Sequence, residues 1–394
     1  MRTAFRNCPI CDHGQVDVLH TQRFELLEGH PLAAGYDVVC CAQCGFVYAD
    51  TTVTQADYDR FYAENSKYED AKTSTGSIEN PFDWERQQQT ARQIVDFLNQ
   101  STAAILDVGC ANGGLLKALQ ESGSLNLCGI DPSPICVKNT RQLGIEAHVG
   151  SLFKPFRRDS FDCVVLSHTL EHIHDLHSAA QWIHSSLKDN AFLYIEVPDA
   201  ARYTDFVDAP FQEFNTEHIN HFSLASLKNF MSIHGFEPME SGQKVILTST
   251  NKPYPAIYCF ARKSLKRGSF ERDNLLRPKI ESYSLRSQGI LEEIKLHLQN
   301  ALATEGRLVV WGTGQLTMKL LVDTALAAAD IIAFVDSNPI NQGKNLRGIR
   351  VISPAEVRQY PGPILISSIL HEQSISQQIQ QMRLNNHIIF LRDS

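Results

Sequence analysis

Three groupings of residues are of types that do chemistry. Cysteines crowd the start of the chain, with CPIC at 8–11 and CAQCG at 41–45. Each C-x-x-C knuckle turns two thiolates toward one point, and two knuckles complete a tetrahedral sulfur site that suits zinc. The expected ligands are Cys8, Cys11, Cys41 and Cys44, with Cys40 packing as a small apolar side chain. A closed four-thiolate site has no open position, so such a metal stabilises fold and performs no reaction. The second grouping is AILDVGCANGGLLKAL at 104–119, a hydrophobic run that breaks into Gly109, Cys110, Gly113 and Gly114. There a strand hands over to a helix N-terminus, where a ligand can approach backbone. Asp131 ends the next apolar run, CGID, where a carboxylate can accept hydrogen bonds from ribose hydroxyls. The third grouping is imidazole-rich: LSHTLEHIHDL at 166–176 and EFNTEHINHFSLASL at 213–227.

These groups need a scaffold that brings them to one edge. Short apolar runs at 104–108, 126–130, 145–149, 161–167, 191–197, 236–244 and 255–262 read as strands. Helical patterns fall between them at 113–122, 133–143, 176–187 and 223–234, the alternation of a doubly wound α/β sheet. In such a sheet a ligand lies at the carboxyl ends of the first strands. The turn GCANGG has alanine where the dinucleotide fingerprint has its second glycine, and Asp107 precedes it inside the strand, placed to orient a cationic amino-acid ligand. A second strand, glycine turn and strand follow at 306–321 and 331–339, with Gly312, Thr313 and Gly314 in the turn and Asp336 at the later strand end. A helical linker at 263–304 leads into it. Upstream, Tyr58, Phe61, Tyr62 and Tyr68 recur at helical intervals and read as a packing stripe more than a stacking surface.

At 394 residues the chain is too long for one ordinary core. The reading is a zinc-binding module at 1–72, a Rossmann-like seven-stranded core at 73–262, and a linker helix with a C-terminal Rossmann-like α/β domain at 263–394. A net charge of −8 disfavours a large phosphate-binding surface, so a small substrate is expected and nucleic acid is not. No apolar run reaches the roughly 20 residues of a membrane span, and the first residues lack a secretory core, so no membrane partner and a cytoplasmic location are expected. The oligomeric state is left open.

The glycine turn with its downstream acid resembles the class I S-adenosylmethionine-dependent methyltransferases. The resemblance implies that Asp107, Gly109, Cys110, Gly113 and Asp131 bind S-adenosyl-L-methionine, together with Ser151 and Leu152 at the adenine and His168 after the fourth strand. It also implies that the imidazoles at 168–174 hold no catalytic metal, and that the last strand of the sheet is antiparallel. Zinc knuckles, core, Glu-His pair and further α/β domain together look like the bacterial sugar C-methyltransferases that act on nucleotide-linked keto-deoxysugars. In that family the loop resembles Tyr-His-Glu-His-x-x-Tyr-Phe, and Glu217, His218 and Phe222 match it. Asn215, Thr216 and His221 stand where the family has Tyr, His and Tyr. The resemblance implies His218 as base, Glu217 orienting it, and His172 sharing the site; Asn215, His221, Gly312, Thr313 and Gly314 would contact substrate. Oxygen methylation of a sugar or other small molecule, a zinc-finger rRNA methyltransferase and a non-catalytic donor-binding protein are the alternatives.

Overall fold

The computed structural model describes residues 1–64, 76–153, 156–303 and 305–392. Tyr68, part of the tract 71–81, and Lys154 and Pro155 lie outside the described residues. The chain divides into two compact units that do not follow one another in sequence. The first comprises 1–19, 38–206 and 217–280, and the second 20–37, 207–216 and 281–394.

The first unit is built on seven strands: β1 (Ala104–Val108), β2 (Asn126–Asp131), β3 (Glu146–Val149), β4 (Phe161–Ser167), β5 (Leu187–Pro198), β6 (Phe236–Leu247) and β7 (Pro253–Lys263). Their order across the sheet is β6-β7-β5-β4-β1-β2-β3, with β7 antiparallel to both neighbours and β1 to β5 parallel. The expected antiparallel last strand is therefore present. Leu106, Val164, Leu166, Leu193 and Ile195 point to one face and Ile105, Cys163, Val165, Tyr194 and Phe260 to the other, each face under its own cover of helices. Burial on both faces explains why the parallel strands read as near-continuous apolar runs.

Ahead of this sheet, strands Arg2–Thr3, Gln15–Arg23, Gly35–Cys41 and Val47–Asp50 form a second sheet, completed by Asn220–His221 from far along the chain. Asn220 pairs with Tyr48 and His221 with Val47. The segment that carries Glu217 and His218 is thus held as an edge strand on the cysteine module. Of the aromatic stripe, Tyr58 and Phe61 are buried on helix Gln55–Glu64 and pack as expected.

The second unit has a six-stranded sheet whose central members, Arg307–Trp311 and Asp330–Val335, pair in parallel. Trp311, Val335, Ile352 and Ile366 fill its core. Gly312 takes φ +112 where the first strand turns, its N–H bonding to the Val335 carbonyl.

Two glycines in the first unit allow a clean comparison. Gly45 in the second knuckle has φ +79, and a Cβ there would come within 2.2 Å of the Asp273 carbonyl oxygen. Gly144 has φ +77 with nothing within 4 Å of such a Cβ. Gly144→Ala should cost about 1 kcal/mol through backbone strain alone, whereas Gly45→Ala should cost about 2–4 kcal/mol because backbone must also move. Thermal unfolding of the two variants checks the difference; equal midpoints would contradict it.

Candidate functional site

The four expected cysteine ligands come together. Cys8 Sγ lies 3.5 Å from Cys44 Sγ, Cys11 Sγ lies 3.6 Å from Cys41 Sγ, and all four sulfurs fall within 4.8 Å of one another. A zinc ion with bonds of ~2.3 Å sets sulfurs ~3.8 Å apart, so the cluster fits one. Cys40 is turned away, its thiol on the carbonyls of Cys41 and Gly45. A strap from the chain beyond β7 covers the second knuckle: Arg272 donates to the carbonyls of Ala42 and Gln43, and the Asp273 N–H donates to that of Cys44 at 2.9 Å.

At the carboxyl ends of β1, β2 and β4 lies a cavity of about 360 Å³. One side is the glycine turn. Gly109 takes φ +74, and a Cβ there would meet Thr169 Oγ1 at 2.7 Å. Gly113, at φ +80, starts helix Gly114–Glu121. Asp131 receives the N–H groups of Ala111 and Ser133, each at 2.9 Å, which braces the turn against the end of β2. Each carboxylate oxygen has a second lone pair, so these bonds do not exclude a ribose diol. Asp107, Gly109, Cys110, Asp131, Ser151, Leu152 and His168 all line the cavity, and so do Asp83 and Arg86, which the sequence reading missed. Arg86 pairs with Asp83 at 3.4 Å. Together with Asp107 it gives this end of the cavity groups of both signs, as a zwitterionic amino acid requires.

The opposite side is made of imidazoles. His172 and His218 line the cavity with their ring centroids 4.9 Å apart, and Tyr62 stands edge-on to His172 at 5.9 Å. Both histidines are held by backbone. The turn Leu170–His172 after β4 and the segment 217–220 are joined by Ile219 N–H to the Glu171 carbonyl at 3.0 Å and by His172 Nδ1–H to the Glu217 carbonyl at 3.0 Å. Burial pushes the His172 imidazole down to about 4. Glu171, which stands among these histidines in the sequence and was given no role there, is 1% exposed and faces the same space. His168 sits at φ +53 with Nε2 3.1 Å from Glu196 and Nδ1 3.5 Å from Glu171. Burial alone would lower that imidazole, but the two carboxylates outweigh it and raise it.

Other expected residues lie elsewhere. The Glu217 carboxyl group is buried and does not line the cavity; its contribution there is the carbonyl on His172. His221, expected at the substrate, is fully buried in the edge-strand pairing, its ring against Tyr203, because its strand position points it into protein. Gly113 helps shape the turn without lining the cavity. Asn215, Gly312, Thr313 and Gly314 belong to the second unit. There the Asn215 carbonyl accepts from Tyr36, and the Thr313 hydroxyl is held by the Asp336 carboxylate.

Residues 83–241 match the model of a methyltransferase domain, and 304–390 match the family described as C2185-like, N-terminal. No curated protein matches the chain. The chain is similar to the YcgJ protein of Bacillus subtilis, at 14% identity and TM-score 0.38 over 46% of this chain and 99% of that one. It is also similar to an S-adenosylmethionine-dependent methyltransferase of Methanosarcina mazei, at 19% identity and TM-score 0.38 over 44% of this chain and 98% of that one. Another, from Mesorhizobium loti, is 16% identical with TM-score 0.36, covering 44% and 96% of the two chains. The chain is a methyltransferase enzyme whose core has the class I S-adenosylmethionine-dependent fold. No helix among the described residues is long and apolar enough to cross a membrane.

Burial, reinforced by Asp131, raises the Asp107 carboxyl to about 7. Near neutral pH it is partly protonated and cannot fully pair with an ammonium group, so a cationic ligand at Asp107 must displace the proton. S-adenosylhomocysteine affinity should therefore be full above pH 7 and fall as pH drops below it, approaching about tenfold per unit. Calorimetry across pH 5.5–8.5 checks this, and Asp107→Asn should flatten the profile.

Proposed function

We propose that this enzyme transfers the methyl group of S-adenosylmethionine to carbon in a nucleotide-linked sugar, with His218 taking the acceptor's proton. The observation that carries the reading is the single cavity lined at one side by Asp107, Gly109 and Asp131 and at the other by His172 and His218. Asp131 holds the donor's ribose, Asp107 and Arg86 its amino-acid end, and Ser151 and Leu152 the adenine. Zinc, held by the four cysteines, stabilises the module that carries the edge strand Asn220–His221. The purified chain should hold one such zinc, and its removal should loosen that module before the core.

Methyl transfer is an in-line displacement at an activated sulfonium, so the protein chiefly aligns a nucleophile and removes a proton. A carbon beside a ketone needs that removal most, and an imidazole facing the acceptor space can perform it. His172 is fixed as its Nδ1–H tautomer by the Glu217 carbonyl, which leaves its Nε2 toward the cavity side. The acid balance of the chain favours a small acceptor over RNA.

Donor turnover across a panel of sugar nucleotides, with RNA as control, tests the substrate class. His218→Ala should lower kcat by about 10²–10⁴-fold with donor affinity nearly intact. Solvent deuterium exchange into the acceptor without donor checks the base directly. Exchange at the wild-type rate in the variant would remove His218 from that role, and methyl transfer without exchange in the wild type would favour oxygen over carbon.

A further inference from the structure

The geometry points to a divalent transition-metal site inside the cavity, held by Glu171, His172 and His218. The sequence reading set metal aside at these imidazoles. Three features of the folded site bring it back. One ligand atom from each residue falls within 4.8 Å of the other two. Ligands at about 2.0–2.2 Å from a common tetrahedral ion lie about 3.3–3.6 Å apart, so the three close on one ion with at most about 1.5 Å of side-chain adjustment.

The second feature is the tautomer of His172. Its Nδ1 lies 3.0 Å from a backbone carbonyl oxygen, which can only accept, so Nδ1 carries the hydrogen. Nε2 is then the metal-binding nitrogen, oriented as metal-ligating histidines commonly are by a carbonyl on the other ring nitrogen. That Nε2 lies 3.8 Å from Glu171 Oε1, too far for a hydrogen bond and suitable for two ligands of one ion.

The third feature is Glu171 itself. It is 1% exposed, and neither of its carboxylate oxygens has a hydrogen-bond partner among the described residues. His168 is 3.5 Å from it, where it would brace the carboxylate from behind. His168 offsets part of the cost of burying that carboxylate, and a bound cation on its other side would offset the rest.

Two imidazoles and one carboxylate suit zinc, manganese or iron(II) better than magnesium or calcium. Three protein ligands leave positions open, and all three residues line the cavity, so those positions face the acceptor space. An acceptor presenting a carbonyl or hydroxyl oxygen would bind there and be polarised. This inference rests on the methyltransferase reading for what the cavity holds. With His218 as a ligand, the ion would polarise the acceptor's oxygen and the proton would leave to water, which replaces the base role given to His218 above.

The test is a Mn²⁺ titration of the full chain with its cysteine zinc retained, followed by electron paramagnetic resonance, since Mn²⁺ prefers oxygen and nitrogen to thiolate. One site per chain is expected, at least tenfold weaker in Glu171→Gln and in His218→Gln, with stoichiometric S-adenosylhomocysteine binding confirming that each variant is folded. Should both variants misfold, paramagnetic broadening of the His172 and His218 side-chain resonances in the wild type supplies the same information. No Mn²⁺ binding, or binding unchanged in folded variants, or broadening confined to other histidines, overturns the metal site. In each of those cases retained donor binding leaves the methyltransferase reading standing, while loss of donor binding in the wild type would count against that reading instead.

Discussion

The site depends on one buried amide. Asn220 is 1% exposed, and its Nδ2 donates to the carbonyls of Leu170 and Ile173 at 3.1 and 2.7 Å. Its Oδ1 accepts from the Arg6 guanidinium at 3.1 Å, and the same guanidinium reaches the carbonyls of Ile173 and His174. Asp50 accepts the Arg6 N–H at 2.8 Å, and Tyr48 donates to the Arg6 carbonyl at 2.9 Å. Three parts of the chain far apart in sequence are therefore fixed to one another: the start of the cysteine module, the turn after β4 and the segment bearing His218. Arg6 is only two residues from Cys8. A structural metal at the knuckles would thus hold one end of a linkage whose other end sets the spacing of His172 and His218, which gives a non-catalytic metal a physical route to the chemistry.

Beneath the imidazoles runs a line of buried charge. Glu196, wholly buried near the end of β5, receives Tyr194 at 2.6 Å, pairs with Lys244, and meets His168 at 3.1 Å. Burial would raise its carboxyl group, but Lys244 and His168 hold it well below the usual range. His168 reaches both Glu196 and Glu171 only because its backbone takes φ +53, with its N–H on the Glu196 carbonyl. A β-branched residue at that position would resist the conformation, and an apolar one would leave two carboxylates facing each other. The strained backbone and the charge pattern are therefore parts of one arrangement.

The parallel core was legible because each β-strand is buried on both faces, and the glycine turn because Gly109 and Gly113 answer steric limits that no other residue meets. The knuckles were legible from spacing. Glu171 stood out in the same motif as His172 but without a role, because only the fold shows that it lines the cavity. Asp83 and Arg86 carried no signal, since a helix from Pro81 to Leu98 with charged residues reads as a solvated face until its place over the donor turn is known.

The departures from the resembling family's loop have a structural reading. His221 occupies an edge-strand position opposite Val47, where a buried ring packs and a polar head has no acceptor space to enter. Thr216 bonds Gln315 through its hydroxyl at 2.8 Å, and Asn215 presents its carbonyl to Tyr36, both within the second unit. The unit boundary falls between Thr216 and Glu217, one residue before His218. Positions that would carry hydroxyl and imidazole groups toward an acceptor are here committed to holding the chain where it changes units. On the near side of that boundary Glu171, His172 and His218 come together from two segments joined by backbone and side-chain hydrogen bonds, a grouping that depends on where the chain changes units.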